Sequence, residues 1–432
     1  MGLTQVVADE LDATRRRSLD LLAPLPETEL QRQISPIMSP LVWDLAHVGN
    51  YEELWLLREA TGAPAIDATL DSMYDAFRHP RKNRPSLPLL GPAEARRYIG
   101  EVRGRVLDSL ERQPLDGGAI PLLRNGFVYG MVIQHEHQHD ETMLATLQLL
   151  EDDGHRPLAP LPPPPPGQPL PAEEVLIPAG PFVMGTDVEP WAYDNEGPAH
   201  QVDLPAFWID TVPVTNARYV AFIEDGGYAD PQWWDADGWA WREESGVEHP
   251  QFWRREGAGS WSRVRFGWRE DLPLDEPVQH VCWHEAAAHA RWAGKRLPSE
   301  AEWEKAASWG PDGIKRRLPW GDDGVHVANA NLGQSLYRPA PVGAYPSGAS
   351  AWGVHQMVGD VWEWTATEFD PYPGFASFPY REYSEVFFGA GYKVLRGGSW
   401  ATHPQAVRTT FRNWDLAIRR QIFAGFRCAR DA

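Results

Sequence analysis

The sequence predicts a two-domain protein, in which an all-α bundle is followed by an α+β domain. Apolar positions recur with helical spacing through the first 155 residues, whereas Gly, Pro, Trp and short β-like runs dominate after residue 173. Between them stand five consecutive prolines, 162–166, which cannot continue a helix or join the interior of a sheet. We therefore predict domains at 1–155 and 173–432, joined by a proline-rich linker at 156–172.

Composition narrows the classes of function. A formal net charge of −20 argues against nucleic acid as a general partner, and no apolar run is long enough to span a bilayer. The N-terminus lacks the pattern of a secretory signal, and the two cysteines, Cys282 and Cys428, imply no disulfide framework. These features predict a cytoplasmic protein with two buried free thiols. We also predict a monomer, because two domains of one chain can form a complete substrate pocket.

Four long helical segments are predicted in the first domain. The first covers Leu3 to Leu22, and the second starts where Ser39 is expected to cap the helix and Pro40 to occupy its first position. The third begins at Pro92, and the last is the long segment "RNGFVYGMVIQHEHQHDETMLATLQLLEDD". Helices of this length suggest an up-and-down four-helix bundle, whose facing side chains can build a metal site in the core.

The second domain shows fewer helical signals. We expect two helices, one starting near Trp283 and one after Ser299, where Ser299 and Glu302 form a capping box. The remaining pattern predicts an α+β domain with a large share of irregular loop.

The octapeptide "QHEHQHDE" at 134–141 carries the strongest chemical signal in the chain. On a helix, His135 and His139 lie one turn apart on the same face, while His137 points largely elsewhere. His47, flanked by apolar residues on the second helix, is the predicted third ligand. Three histidines with open positions suit nonhaem iron and equally suit catalytic zinc, so the residues do not choose the metal.

The same letters contain His-Glu-x-x-His, the pattern of zinc proteases. No His-x-x-Gly-x-x-His extension follows His139, and the segment continues as a helix toward the linker. On that helix, Glu136 lies about 100 degrees from His135, with no oxyanion-binding group in the neighbouring sequence. A peptidase is therefore disfavoured.

Both halves resemble known families. The first half, with "HPRKNRPSLPLL" and "QHEHQHDET", is similar to the DinB-type four-helix bundle of ergothioneine-biosynthesis sulfoxide synthases (the EgtB family). The second half resembles the formylglycine-generating-enzyme (FGE-sulfatase) domain, which has a C-type-lectin-like core. That resemblance is carried by "VLIPAGPFVMGT", "EGPAHQVDLPAFWIDTVPVTNARYVAF", "PVQHVCWHEAAAHARWAGKRLPSEAEWEKAA", "QMVGDVWEWTAT", "VLRGGSW" and "GFRCARD".

The combination of both domains implies a specific reaction. Members of this family use nonhaem iron(II) and O2 to join the thiol of γ-glutamylcysteine to the imidazole of hercynine (Nα-trimethylhistidine), forming a sulfoxide. Formylglycine generation needs a pair of cysteines near the chain end, where only Cys428 stands, and is disfavoured. By resemblance the iron ligands are His47, His135 and His139. The fold also allows a structural calcium ion, whose ligands the sequence does not place.

The resemblance also implies substrate-binding residues. Fork-shaped guanidinium groups suit the carboxylates of the thiol, and an aromatic face suits a trimethylammonium group. The implied residues are, for the thiol, Arg81, Arg84, Asp415 and Arg419; for hercynine, Gln138, Tyr383, Asn413 and Trp414; and, as proton donor, Tyr380, chosen over the neighbouring Tyr372. Arg420 stands beside Arg419, and the sequence does not decide between them.

Two other functions remain open at this stage. One is a DinB-type zinc-dependent thiol transferase, which would not need O2. The other is a non-catalytic binding protein that uses the lectin-like domain for a carbohydrate or a peptide. Free cysteine is also an alternative to γ-glutamylcysteine as the thiol, although Arg81 and Arg84 favour the larger substrate.

Overall fold

The computed structural model describes residues 2–115, 120–150, 163–170, 173–257 and 259–432. It divides into two compact units. Unit 1 comprises Met1–Ala159 with the short segments Glu189–Trp191 and Phe266–Trp268, and unit 2 comprises the rest. The predicted linker lies outside the described residues except for 163–170, which form neither helix nor strand. No helix among the described residues combines the length and apolar character that a membrane crossing requires.

Unit 1 is built of helices, as the sequence predicts. Its helices are α1 Leu3–Leu22, α2 Glu27–Gln31, α3 Leu41–Glu52, α4 Thr69–Met73, α5 Pro92–Leu110 and α6 Phe127–Gln148, with 3-10 turns at Arg81–Ser86 and Pro121–Gly126. The four long helices α1, α3, α5 and α6 match the four predicted segments. The short α2 and α4 are additions that the apolar periodicity does not reveal, because each spans little more than one turn.

The start of α3 differs from the prediction. Pro40, not Ser39, is the residue at the N-cap, and it offers no side-chain cap. The Ser39 hydroxyl instead accepts a hydrogen bond of 2.6 Å from Arg84 Nη1. After Glu52 the helix widens into a π-helical segment, Glu53–Glu59, a rare form that often occurs at functional sites.

An ionic cluster is buried among the four long helices. Arg15 of α1 and Arg103 of α5 both contact Glu52 of α3 and Glu136 of α6, with nitrogen–oxygen distances of 2.6 to 3.2 Å. The Arg103 guanidinium also donates to the Leu11 carbonyl. All four charged side chains are at most 7% exposed. Each helix thus contributes one member, and the cluster fixes their mutual register.

The segments Glu189–Trp191 and Phe266–Trp268 complete unit 1. Trp191 packs against α6 where Gly130 has no side chain, and a Cβ atom there would overlap the indole ring. Gln134 Nε2 donates to the Trp191 carbonyl at 2.9 Å, and the Phe266 amide donates to Gln148 Oε1 at 2.9 Å. Gly130 is therefore required by a close approach of the indole rather than by its backbone angles.

The second half of the chain has the predicted α+β character. Its helices are α7 Asn216–Glu224, α8 Ala236–Ser245, α9 Trp283–Trp292 and α10 Glu300–Ser308. Its strands are β1 Glu174–Ile177, β2 Gly180–Met184, β3 His200–Leu204, β4 Phe207–Asp210, β5 Trp253–Gly257, β6 Ser260–Arg265, β7 Trp268–Asp271, β8 Trp362–Glu368, β9 Tyr392–Arg396, β10 Asn413–Leu416, β11 Ala424–Gly425 and β12 Ala429–Asp431.

Small sheets organise these strands, with the orders β1-β4-β12, β10-β9-β8-β11, β2-β3 and β5-β6-β7. In the first sheet β4 pairs antiparallel with both β1 and β12, placing Val175 and Ala429 on either side of Ile209. This pairing joins the beginning and the end of unit 2. Beside it lies a core whose members are all at most 1% exposed: Ile177, Phe207, Ile209, Trp303, Ala306, Ala307, Val354 and Met357.

The helices of unit 2 correct one prediction. The two expected helices exist as α9 and α10, and the Ser299–Glu302 capping box is present with hydrogen bonds of 2.7 and 3.2 Å. The expectation that these were the two helices of the domain was wrong, because α7 and α8 are also present. Their N-caps, Thr215 and Asp235, were the available signal, since each side chain accepts from a backbone amide of the first turn.

One carboxylate of unit 2 predicts a measurable sensitivity to acid. Glu270 accepts hydrogen bonds from Arg263 at 2.8 Å and Arg265 at 3.1 Å. Burial raises its pKa, but these arginines and Arg338 outweigh that effect and lower it from 4.5 to about 2. A depressed pKa stabilises the fold above the unfolded value of 4.5, and this contribution is lost as the pH falls toward 2.

We therefore expect the urea midpoint of the chain to fall between pH 5 and pH 2 and Glu270→Gln to fall less over that range. After allowance for partial solvent exposure, the difference should correspond to about 2 kcal/mol. Glu248→Gln, which removes a carboxyl that is 76% exposed, is the control and should follow the parent. Parallel pH curves for Glu270→Gln and the parent would contradict the assignment.

Candidate metal centre and substrate-binding residues

The three predicted histidines converge in unit 1. His47 of α3 and His135 and His139 of α6 each offer a ring nitrogen, and these atoms lie within 4.8 Å of one another. The ring centroids are 5.2 Å apart for His47 and His135 and 4.7 Å apart for each of the other two pairs. The one-turn spacing on α6 places two rings together, and the packing of α3 against α6 supplies the third.

Each ring has a different outer contact. His47 Nδ1 lies 2.7 Å from the carbonyl oxygen of Tyr74, and His139 Nδ1 lies 3.1 Å from Asp44 Oδ1. His135 Nδ1 is buried and has no hydrogen-bond partner among the described residues, although its ring stacks on Tyr51 with centroids 3.7 Å apart. On His47 and His139 the hydrogen-bonded Nδ1 leaves Nε2 to face a metal.

The protonation state suits metal binding. Burial, together with the neighbouring His139, holds the pKa of His47 and that of His135 well below the usual value for histidine. Neutral imidazole is the form that ligates a metal. Three imidazoles around one point, two of them kept neutral by burial and one of these with an orphaned buried nitrogen, fit a divalent transition metal and leave coordination positions for other ligands.

Two other groups of the octapeptide, Glu136 and His137, make contacts within unit 1 that do not involve the three-histidine centre. His137 lies 3.1 Å from the Thr14 hydroxyl and 3.3 Å from Asp140, away from the three-histidine centre. Glu136 is 2% exposed, and its carboxylate is bound by Arg15 and Arg103. A carboxylate engaged in this way is not available as the general base of a peptidase.

The two predicted thiol-binding arginines lie in the 3-10 turn of unit 1. Arg84 is buried, and its three nitrogens donate to Ser39 Oγ and to the carbonyls of His79 and Ala76 at 2.6 to 3.2 Å. Its guanidinium lies 3.5 Å from the ring centroid of Trp43, which in turn stacks on His47. Arg84 thus packs against His47 of α3 indirectly, through Trp43.

Arg81 and Gln138 are the other predicted contacts in unit 1. Arg81 is half-buried and donates to the Ile37 carbonyl at 3.0 Å. Gln138 is also half-buried, and it precedes His139 on α6. Both side chains therefore reach solvent in the structure.

In unit 2, an aromatic cluster surrounds the predicted hercynine residue Trp414. The Trp414 ring stacks on Phe369 at 4.1 Å, and it also contacts Phe387 at 5.5 Å and Tyr383 at 5.8 Å between centroids. Asn413, its neighbour on β10, accepts a hydrogen bond from the Trp414 amide. Sequence spacing does not reveal Phe369 and Phe387, because they come from a different strand end and a different loop.

The predicted proton donor Tyr380 lies in the same region. Its ring is 6.3 Å from that of Tyr383, which stacks on Tyr193 at 4.0 Å. Burial and the nearby Tyr380 raise the pKa of Tyr193, which also hydrogen bonds to Tyr383. Tyr372, the alternative considered from sequence, is buried beside Arg412, with its hydroxyl 3.4 Å from Glu300.

The loop that carries both tyrosines is held by a residue that the sequence did not single out. Asp194 accepts from the Phe378 amide at 3.2 Å and from the Ser384 hydroxyl at 2.5 Å, so it binds both ends of the segment 378–384. Burial raises the pKa of Asp194. No short-range sequence motif predicts these hydrogen bonds, because Asp194 lies about 190 positions before both of its partners in the sequence.

The two adjacent arginines after β10 have different environments. Arg420 makes two hydrogen bonds of 2.9 Å to Glu285, which is buried. Arg419 Nε lies 3.4 Å from Asp415 Oδ1, and both side chains are about one-fifth to one-quarter exposed. Arg419 is thus the member of the pair that lies beside Asp415. The cysteines Cys282 and Cys428 are free and buried, as predicted.

Comparison with known proteins agrees with both halves of this description. The family model of the sulfatase-modifying factor enzyme 1-like domain matches residues 160–432, and that of the DinB superfamily matches residues 10–143. The chain is 53% identical over 438 residues to a hercynine oxygenase of Mycolicibacterium thermoresistibile, covering 98% of this chain and 94% of the relative.

Two further relatives extend the comparison. A hercynine oxygenase of Mycobacterium tuberculosis is 52% identical and aligns over the full length of both chains. A formylglycine-generating enzyme of Streptomyces coelicolor is 35% identical over 297 residues, which cover 60% of this chain and 89% of that enzyme.

The fold defines a class of protein in which a DinB bundle, here carrying a candidate metal centre, precedes a domain like sulfatase-modifying factor enzyme 1. Within that class, the near-complete alignments at 52–53% identity place the chain more narrowly. It belongs to the hercynine oxygenase family.

Proposed function

We propose that this protein is an iron(II)-dependent, O2-consuming sulfoxide synthase that joins hercynine to γ-glutamylcysteine. One observation carries the metal part of the proposal: three imidazoles offer their nitrogens to one point in a chain of the hercynine oxygenase family. The overall change replaces the C–H bond of the hercynine imidazole and the thiol S–H bond by a C–S bond. It reduces O2 by four electrons, leaving one oxygen on sulfur and the other in water.

His47, His135 and His139 would hold the metal. A bound iron(II) ion would supply open coordination positions and the redox chemistry that activates O2, while the four electrons that reduce O2 come from the two substrates. The protein keeps the His47 and His135 rings neutral by burial, orients His47 through the Tyr74 carbonyl, and packs His135 against Tyr51.

The aromatic cluster around Trp414 is proposed to bind hercynine. A quaternary ammonium has no N–H to donate, so it is recognised by the negative faces of aromatic rings. Trp414, Phe369 and Tyr383 offer such faces close together, and Asn413 precedes Trp414 on the same strand. Gln138 is the proposed polar contact from α6.

Paired charges are proposed to bind the thiol substrate. The Asp415 carboxylate suits its ammonium group, and the Arg419 guanidinium suits a carboxylate. The 3.4 Å pair in the structure would then open to admit the zwitterion. Arg81 is proposed as the fork-shaped donor to the remaining carboxylate, which favours γ-glutamylcysteine over the smaller free cysteine. Arg84, whose three nitrogens are held by Ser39, His79 and Ala76, is proposed to add positive charge from the same turn.

Tyr380 is the proposed proton donor. A phenol hydroxyl can deliver its proton without carrying a charge in its resting state. The loop that bears it is fixed at both ends by Asp194, and Tyr383 in the same loop packs on Tyr193. These contacts support a positioned phenol oxygen. The cytoplasmic location, the monomeric state and the structural calcium ion in the second domain remain predictions.

The test is reconstitution of the full chain with iron(II) without oxygen, followed by hercynine, γ-glutamylcysteine and air. Mass spectrometry should detect an oxygen-dependent product with the mass of the joined sulfoxide, carrying one ¹⁸O atom when ¹⁸O2 is used. Parallel reactions with free cysteine and with zinc are the controls. Activity with zinc and without O2 would instead establish a thiol transferase, and a product from cysteine alone would correct the thiol.

A further inference from the structure

The outer contacts of the three histidines are unequal, and one contact uses a carboxylate. His47 relies on a backbone carbonyl, His135 Nδ1 has no hydrogen-bond partner among the described residues, and His139 Nδ1 lies 3.1 Å from Asp44 Oδ1. A carboxylate is the strongest acceptor of the three environments and the one that a substitution can remove. His139 is therefore the ring whose orientation depends on an identifiable side chain.

Asp44 is placed where a carboxylate is costly. It lies in the first turn of α3, its side chain is 1% exposed, and its Oδ2 atom has no hydrogen-bond partner among the described residues. Burying a carboxylate that makes so few hydrogen bonds is unfavourable unless a nearby charge compensates for it. The buried guanidinium of Arg84 supplies positive charge nearby, and Asp44 acts electrostatically on it.

The two consecutive residues Trp43 and Asp44 serve different ligands. Trp43 stacks on His47 with centroids 4.5 Å apart and planes inclined by 13°, while Asp44 reaches across to His139 on α6. The first turn of α3 thus supports two of the three rings. A contact between helices at this point fixes the separation of His47 from His139 as well as the orientation of each ring.

We propose that Asp44 is a positioning residue for the metal centre. It accepts a hydrogen bond from Nδ1–H of His139, which holds that imidazole in the tautomer whose Nε2 is free to bind the metal. It also makes Nε2 a better donor, because hydrogen bonding to a carboxylate increases the electron density of the ring. Asp44 acts through His139 and touches no substrate, and the proposal rests on the proposed three-histidine metal site.

The test is cobalt(II) titration of the metal-free full chain and of its Asp44→Asn and Asp44→Ala variants. Loss of such a carboxylate typically costs 10–100-fold in metal affinity, and we expect a loss in that range together with a changed cobalt d–d absorption spectrum. The control is Asp71→Asn, which removes a carboxyl of the same unit that pairs with Arg58 and not with a histidine. This control should bind cobalt like the parent.

The outcomes separate the two proposals. If the parent binds no cobalt, the metal site and the role of Asp44 both fail. If the parent binds cobalt and Asp44→Asn binds it within about twofold with an unchanged spectrum, the metal site stands and the role of Asp44 is wrong.

A second measurement needs no variant and covers the case in which the Asp44 variants do not fold. In the zinc-loaded parent labelled with ¹⁵N-histidine, long-range ¹⁵N–¹H correlation spectra distinguish a protonated ring nitrogen from a metal-bound one. We expect His139 to carry its proton on Nδ1 and the metal on Nε2. The opposite arrangement would overturn the proposal.

Discussion

Replacing His135 by alanine is expected to abolish both stoichiometric metal binding and sulfoxide formation. Removing a group that only hydrogen bonds to a ligating histidine typically costs about 10–100-fold in metal affinity, so the loss of a ligand itself should exceed about a hundredfold. The ring of His135 stacks on Tyr51, and its Nδ1 makes no hydrogen bond to the described residues. The substitution should therefore remove the ligand while the helices stay folded. Metal content after dialysis and product formation measure the two effects.

His137→Asn is the matched control on the same helix. It removes a histidine that contacts Thr14 and Asp140 and lies away from the three proposed metal ligands. We expect a lower thermal midpoint with normal metal stoichiometry. Equal metal loss in both variants would show that metal depends on the integrity of α6 as a whole and would refute His135 as a specific ligand.

The second large effect concerns stability. Replacing Arg103 by methionine is expected to destabilise the chain by about 3–5 kcal/mol, because breaking a buried ion pair leaves an uncompensated charge. Glu52 and Glu136 would each lose one of their two arginines, and the Leu11 carbonyl would lose a donor. Urea unfolding of the metal-free chain measures the change.

Arg105→Met provides the comparison on the same helix. Arg105 also pairs with a glutamate, Glu101, but both side chains are about half exposed. Exposed pairs contribute about 0–1 kcal/mol, so this variant should unfold nearly like the parent. A comparable loss in both variants would mean that α5 tolerates neither substitution for reasons other than the buried cluster.

Local signals in the sequence predicted the long helices and the pairing of His135 with His139. Helical periodicity and the four-residue spacing are properties of a single segment, so they survive without tertiary information. The failed cap at Ser39 shows the limit. The Ser39 hydroxyl lies just before the helix and could have capped it. Instead it accepts a hydrogen bond from Arg84, which comes from a distant segment.

Other features depend on contacts between distant segments. Asp44 meets His139 across 95 positions, and Asp194 meets Ser384 across 190. Neither pair has a spacing that a sequence pattern could reveal. The family resemblance identified Trp414, Tyr380 and Arg419 as candidate site residues. Only the structure shows that Phe369 and Phe387 pack around Trp414.

The helical unit is not a continuous stretch of polypeptide, and this limits how the gene can be divided. The proline run is an obvious place to cut, but a protein ending at residue 155 would lack Trp191 and Phe266. The surface of α6 at Gly130, where Trp191 packs, would be exposed. The side-chain amide of Gln134 would also lose its acceptor, the Trp191 carbonyl. If a truncated protein precipitates or fails to bind metal, the result would therefore reflect the missing segments of unit 1. Insertions or fusions are better placed elsewhere than between residues 189 and 191 or between 266 and 268.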